Sequence, residues 1–471
     1  MTDFAPNIER VFSLDHHEES YVIEEIEGDV PQFIRGTYYL NGPARFARQN
    51  LRYRHWLDGD GMVCTLRFGD QVGFANRFVR SDKFLAEEEA NRPLFRAFGT
   101  AFDGDQLVRG IALATPANVS VHPWAGRLLA FGEQGLPWEL DANTLETRGQ
   151  FTFGGNLNAI SPFSAHPRID HSTGEMFNFG VSFSARRSRL NLYRFDDGGG
   201  LVYRRRLDLD GPCSMHDFAL SGRHMVFYVN PYILDMQVLM QGGTLMESLS
   251  WEPERGSRML IAGREKGDQQ GSIPIGQGYC LHLINAFEAD GRLVVDALEL
   301  DRPVYDQYQV IPDLFTEVGG GQPVRYIVDV EGGEVIEKRQ IDYRLAPDFA
   351  AVDSGRAMLP CDDFWMLGIS AAGHSGRKFF DQLVRADWSN PGLLDVYQAP
   401  ENHYLGGEPV FICDPNDDRS GAIICQLFDA ELVTSAFAIF DAFDVGRGPQ
   451  ALLYLRNPVR LGFHAVFSAV S

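Results

Sequence analysis

The feature that most constrains the fold is a dense succession of short β-forming runs, six to nine residues long, each closed by a turn signal. RLLAFGE (127–133), EMFNFGV (175–181), LNLYRFD (190–196) and HMVFYVN (224–230) come first. CLHLINAFE (280–288), RLVVDALEL (292–300) and VRYIVDV (324–330) continue the series. DFWMLGI (363–369), PVFICD (409–414), AIICQLFD (422–429) and FAIFDAF (437–443) end it. DGDG at 58–61, DDGGG at 196–200, ADG at 289–291 and EGG at 331–333 supply turns. No segment carries a long helical period, with the exception of 232–251. Such spacing implies an all-β sandwich, barrel or propeller. With 471 residues, a propeller is favoured, because ~28 strands in four-stranded blades would use up the chain. No repeat of 40–50 residues is visible to support it independently.

No shift in composition marks a linker, and GGGQP (319–323) reads as a tight loop. The chain is therefore expected to form one domain over 1–471. The formal charge of −22 repels phosphate backbones and argues against a nucleic-acid partner. It equally disfavours attraction to anionic lipid. The opening residues lack the basic and apolar regions of a secretory signal, and no stretch is long and apolar enough to span a bilayer. The six cysteines show no CxxC pair and read as thiols of a reducing compartment. A cytoplasmic protein, peripheral to a membrane at most, is expected. One stretch, 230–251, is apolar and Met-rich: Tyr232, Ile233, Leu234, Met236, Val238, Leu239 and Met240. It reads either as a loop on the core or as a lip that touches a membrane or a greasy substrate.

Four of the twelve histidines have distinctive settings. They are His166 in SAHPRIDHSTGE, His216 in MHDFALS, His282 in LHLINAFE and His464 in LGFHAVF. Taken singly, such a histidine is usually a hydrogen-bonded core residue. Together they suggest a metal centre, because imidazole is a common ligand for Fe, Zn and Cu. Each stands at least fifty residues from the next, so the ligands must come from different strands. A propeller brings such strands together about its axis. The other histidines carry no such signal. His171 and His224 sit at turns, and His55 with Asp58 to Gly61 reads as a structural hairpin.

These four motifs resemble, in order, the histidine motifs of the carotenoid cleavage oxygenase family. That family includes apocarotenoid oxygenases, stilbene-cleaving dioxygenases and the retinal pigment epithelium isomerohydrolase. HWLDGDGM (55–62), GLPWELDANTLET (135–147), FDQLVRADW (380–388) and GGEPVF (406–411) extend the resemblance over nearly the whole chain. The resemblance implies a seven-bladed β-propeller with a cap of loops and helices over the metal. It implies Fe(II) on four neutral imidazoles, with open positions for O2 and an apolar polyene as the other substrate. It also implies three glutamates that hold the histidines through their second ring nitrogens. Glu133 and Glu408 match the family strings. For the third, EKRQID places Glu337, although the proline expected in that stretch is missing.

Family members that cleave stilbenes and isoeugenol resemble one another in a Lys immediately before the first of these glutamates and a Tyr in the preceding loop. Here Gly132 and Phe98 take those places. The expected activity is therefore oxidative cleavage of a C=C bond in a carotenoid or apocarotenoid, with Phe98 on the substrate wall. A stilbene- or phenylpropanoid-cleaving dioxygenase is the alternative on the same scaffold. A third reading, a non-catalytic binding propeller, leaves four convergent imidazoles without a use.

Overall fold

The computed structural model describes residues 7–49, 51–107, 113–183, 187–308, 311 and 313–470. Its described residues form seven antiparallel sheets, five of four strands and two of five, with two small two-stranded sheets outside them. This is the expected seven-bladed propeller. The first blade contains Gly36–Arg45, Asp60–Phe68 and Val72–Phe78; blades two to seven follow in chain order. Their innermost strands are Ser120–Trp124, Arg168–Ile169, Ala219–Leu220, Tyr279–Ala289, Asp348–Ala351 and His403–Asp414.

Burial follows position within a blade. The inner strand Tyr279–Ala289 is buried over its first nine residues, as expected for a strand covered on both faces. Val72–Phe78 buries alternate residues, the mark of a strand with one covered face. The outermost strand Glu334–Gln340 is almost wholly exposed and rich in charge, which discourages pairing with another chain.

The ring is closed twice by exchange between the ends of the chain. Ala465–Ala469 pairs with Gly36–Arg45 inside the first blade. Ile26–Gly28 pairs with Pro449–Tyr454 at the outer edge of the seventh. Neither segment announces itself in the sequence, since each is short and its partner lies at the other end of the chain.

The apolar stretch 230–251 departs from a helical reading. It forms a strand Tyr232–Leu234, a five-residue helix Met236–Met240 and a return strand Leu249–Trp251. Asp235 caps the helix by accepting from the Gln237 amide. This hairpin joins the loop around Phe98 and the turn Tyr305–Tyr308 in one aromatic group. Phe98 packs on Tyr305 with ring centroids 4.9 Å apart. Tyr232 stacks on Tyr305 at 6.2 Å.

Candidate metal centre

Each of the four histidines lies at or just before an innermost strand. His166 precedes Arg168–Ile169, His216 precedes Ala219–Leu220, His282 lies within Tyr279–Ala289, and His464 precedes Ala465–Ala469. The propeller therefore aims four imidazoles at its axis. Their ligand nitrogens all lie within 4.8 Å of one another. His166 Nε2 is 2.8 Å from His216 Nε2, and the His282 and His464 rings stand 4.9 Å apart. Backbone ties fix these seats. The Ser164 hydroxyl donates to the His216 carbonyl and accepts from the His166 amide. The His464 amide donates to the Val119 carbonyl.

Three carboxylates hold the outer nitrogens. His216 Nδ1 lies 2.7 Å from Glu133 Oε1, His282 Nδ1 2.5 Å from Asp348 Oδ1, and His464 Nδ1 3.3 Å from Glu408 Oε2. A carboxylate at Nδ1 keeps the proton there and leaves Nε2 with a free lone pair, the tautomer a metal needs. His166 lacks a hydrogen-bonded carboxylate. Asp217 Oδ1 is 3.9 Å from its Nδ1, and Asp217 is already held by Arg168 and the Leu283 amide.

Backbone irregularities aim three of these side chains. The pairing register shifts across His282, between Cys280 and Leu283. It shifts again after Asp348 and across Glu408, between Gly406 and Val410. Such bulges re-aim a side chain that regular pleating would send elsewhere. At Glu408 the bulge depends on Gly407, whose φ is +72°. A Cβ there would sit 2.9 Å from Leu40 Cδ1, so glycine is required sterically as well as conformationally.

The residues fit a metal ion. His282 Nε2 is buried and has no hydrogen-bond partner, which costs on the order of 1–3 kcal/mol unless something occupies its lone pair. Burial and the neighbouring rings push the His166 imidazole well below its usual range. Burial likewise lowers His464. Burial would also lower His282, but the Asp348 charge outweighs it and leaves that group raised. His166 and His464 are thereby favoured in the neutral form that ligates, whereas at His282 ligation has to displace a proton.

The site corrects one expectation from the sequence. Glu337 lies on the exposed outer strand of the fifth blade and pairs with Arg339, Oε1 to Nε at 2.8 Å. Asp348 stands on His282 in its place. A signal for it existed: in APDFAAV an acid opens an apolar run, whereas Glu337 sits among charges in EVIEKRQ. Sequence reasoning also missed Tyr305, whose hydroxyl is 3.0 Å from His216 Nδ1 and 3.4 Å from Glu133 Oε1. The histidines without a metal signal stay apart from the cluster. His55 caps a 3-10 turn, accepting from the Leu57 amide, and its Nε2 lies 2.9 Å from the Tyr305 carbonyl.

Two small chambers adjoin Glu133, each about 40 Å³. Phe98, Glu133, Gln134 and Leu245 line both. The first continues along Phe163, Phe179 and Leu234; the second ends on Asp58 and Lys83. Phe98 shares both linings with Glu133. A separate bowl of about 650 Å³ reaches Glu408 and Arg168.

Asp348→Asn, Glu133→Gln and Glu408→Gln are each expected to weaken metal binding ~10–100-fold. Glu337→Gln should match the wild type. Metal titration and steady-state rates on the four variants check this, and a large loss in Glu337→Gln would reverse the assignment.

A family model described as Retinal pigment epithelial membrane protein matches residues 11–469. The chain is similar to apocarotenoid-15,15'-oxygenase of Synechocystis sp., 28% identical over 97% of this chain and 94% of that one. It is similar also to lignostilbene-alpha,beta-dioxygenase isozyme III of Sphingomonas paucimobilis, 32% identical over 95% and 94%. Among solved structures, cobalt-substituted Synechocystis apocarotenoid oxygenase matches it over 98% of both chains, at a TM-score of 0.89 and 26% identity.

Proposed function

The chain belongs to the family of the retinal pigment epithelial membrane protein and the carotenoid cleavage oxygenases, and we propose that it is a non-haem Fe(II) dioxygenase cleaving a C=C bond of a carotenoid or apocarotenoid. The observation that carries this reading is the buried cluster of four histidines, three of them held by carboxylates. His166, His216, His282 and His464 would hold the iron, which when bound supplies the site where O2 is activated. The alkene and O2 give two carbonyl products, one oxygen atom in each. The chain contributes position and dryness. Glu133, Asp348 and Glu408 fix the ring orientations, and the wall of Phe98, Phe163 and Phe179 keeps water from the alkene.

Gly132 supports a substrate that needs no ionised phenol. A Cβ at this position would lie 1.9 Å from Thr115 Oγ1 and 3.1 Å from the Ala117 amide nitrogen, so a lysine fits only if Thr115 turns aside and the chain at Ala117 gives way. A second reading, a stilbene or phenylpropanoid alkene, is favoured by size. Ligand pockets usually measure ~300–1,000 Å³, and each chamber here is about 40 Å³. A polyene is longer than either chamber alone accommodates. The experiment is product analysis with an apocarotenal and a hydroxystilbene side by side, with iron measured on the same sample. Aldehydes from the apocarotenal support the first reading, and aldehydes from the stilbene alone the second. No product from either with iron bound sinks both.

We propose also a peripheral membrane contact, through a smaller lip than the sequence suggests. Tyr232, Leu234 and Leu239 of 230–251 are buried, whereas Met240 is 76% exposed. Among the described residues no helix is long and apolar enough to cross a membrane. Met240→Ser with Val238→Ser should lower flotation with neutral liposomes and spare turnover of a detergent-dispersed substrate. Unchanged flotation places the contact elsewhere. A cytoplasmic setting is the reading that six scattered cysteines with no CxxC pair support.

A further inference from the structure

Gln134 follows Glu133 and lines both chambers that reach Glu133, together with Phe98 and Leu245. It is exposed, and it has no hydrogen-bond partner among the described residues. Its polar neighbours in the second chamber are committed. Lys83 Nζ donates to Asp60 and Glu87. Asp58 accepts from the Thr100 hydroxyl and the Gly99 amide. Asn118 donates both of its N–H groups, to the Leu57 and Gly59 carbonyls. In the first chamber Ser164 Oγ is spent on the His216 carbonyl. The second chamber is otherwise largely apolar, whereas the first is mixed and presents Ser214 beside Glu133; a primary amide on both walls adds a group that can donate and accept toward a ligand.

We infer that Gln134 is a specificity-determining residue that hydrogen-bonds a neutral oxygen function, hydroxyl or carbonyl, on the substrate. The inference rests on the reading of the chambers as the substrate site. A primary amide both donates and accepts, so one side chain serves a hydroxyl and a carbonyl alike. It carries no charge, so unlike a lysine it does not stabilise a phenolate. Its placement next to Glu133, which holds His216, sets the recognised oxygen close to the metal centre. An oxygenated alkene is thereby registered along the two chambers, whereas a hydrocarbon of equal length is free to slide.

The test is a binding titration, independent of turnover, on the iron-loaded full-length protein. The probes are an apocarotenal, the matching apocarotenol and the matching hydrocarbon, each detergent-dispersed, read by quenching of intrinsic fluorescence. In Gln134→Leu, Kd for the aldehyde and the alcohol should rise about 10-fold, the scale of one hydrogen bond. Kd for the hydrocarbon should stay within about two-fold of the wild type, and iron content should not change. A rise for only one oxygenated probe tells hydroxyl from carbonyl recognition and upholds the inference. An equal change for all three probes, or none for any, overturns it. Oxygen-dependent tightening in the wild type without any turnover would leave this inference standing while the proposed activity falls.

Discussion

Alanine at His166, His216, His282 or His464 is expected to remove most of the bound iron and all turnover. The four ring nitrogens sit within 4.8 Å of one another, and each comes from a different blade, so no neighbouring side chain replaces a missing one. The variants should still differ in stability. His282→Ala leaves Asp348, 4% exposed, without the imidazole that outweighs its burial. His166 has no hydrogen-bonded carboxylate, so His166→Ala abandons no such partner. Iron content, turnover and thermal melts on the four proteins check this. A variant that keeps full iron and normal turnover is not at a ligand position.

Lys83→Met is expected to cost about 3–5 kcal/mol of stability, the usual consequence of removing one partner from a buried ion pair. Lys83 Nζ lies 2.8 Å from Asp60 and 3.0 Å from Glu87, and Arg48 bridges the same two acids at 2.6 and 2.9 Å. The four side chains are all but inaccessible. Burial alone would raise the Asp60 carboxyl, yet the two cations hold it below its usual range. Without Lys83, one guanidinium must balance two buried carboxylates. The network binds helix Asp82–Ala90 to the strand that begins at Asp60, behind the chamber that ends on Lys83. Denaturant unfolding should show a lower midpoint at unchanged slope. A loss below about 1 kcal/mol would mean that water reaches the network and screens it.

Much of the centre was legible in the sequence because its signals are local. His166, His216, His282, His464, Glu133 and Glu408 each sit in a short string that resembles a family motif, and it is the four ordered histidine strings together, not any one of them, that point to a metal centre. Asp348 takes the place that the resemblance assigns to a glutamate, Glu337. A shorter carboxylate serves when a bulge brings its backbone closer, and a bulge leaves little trace in side-chain pattern. Tyr305 was illegible for another reason. It reaches His216 from a 3-10 turn in a loop, and loops carry no periodicity. The β density of the chain pointed to a propeller, but the two end exchanges joined segments too short to register. In 230–251, apolar residues of two strands and one short helix ran together and concealed which of them face inward.

The exchange in the first blade makes ring closure and the ligand set interdependent. His464 directly precedes the strand that zips onto Gly36–Arg45, so the step that seals the circle also delivers the fourth imidazole. During synthesis, three ligands are made and wait while the remaining blades emerge, and full capture of the ion must follow the making of residue 464. An ion held by all four rings then acts as a clasp across the seam. Its binding energy adds to the stability of the closed form by mass action. In metal-depleted protein that seam is where opening would begin, which ties the lifetime of the folded ring to the supply of its metal.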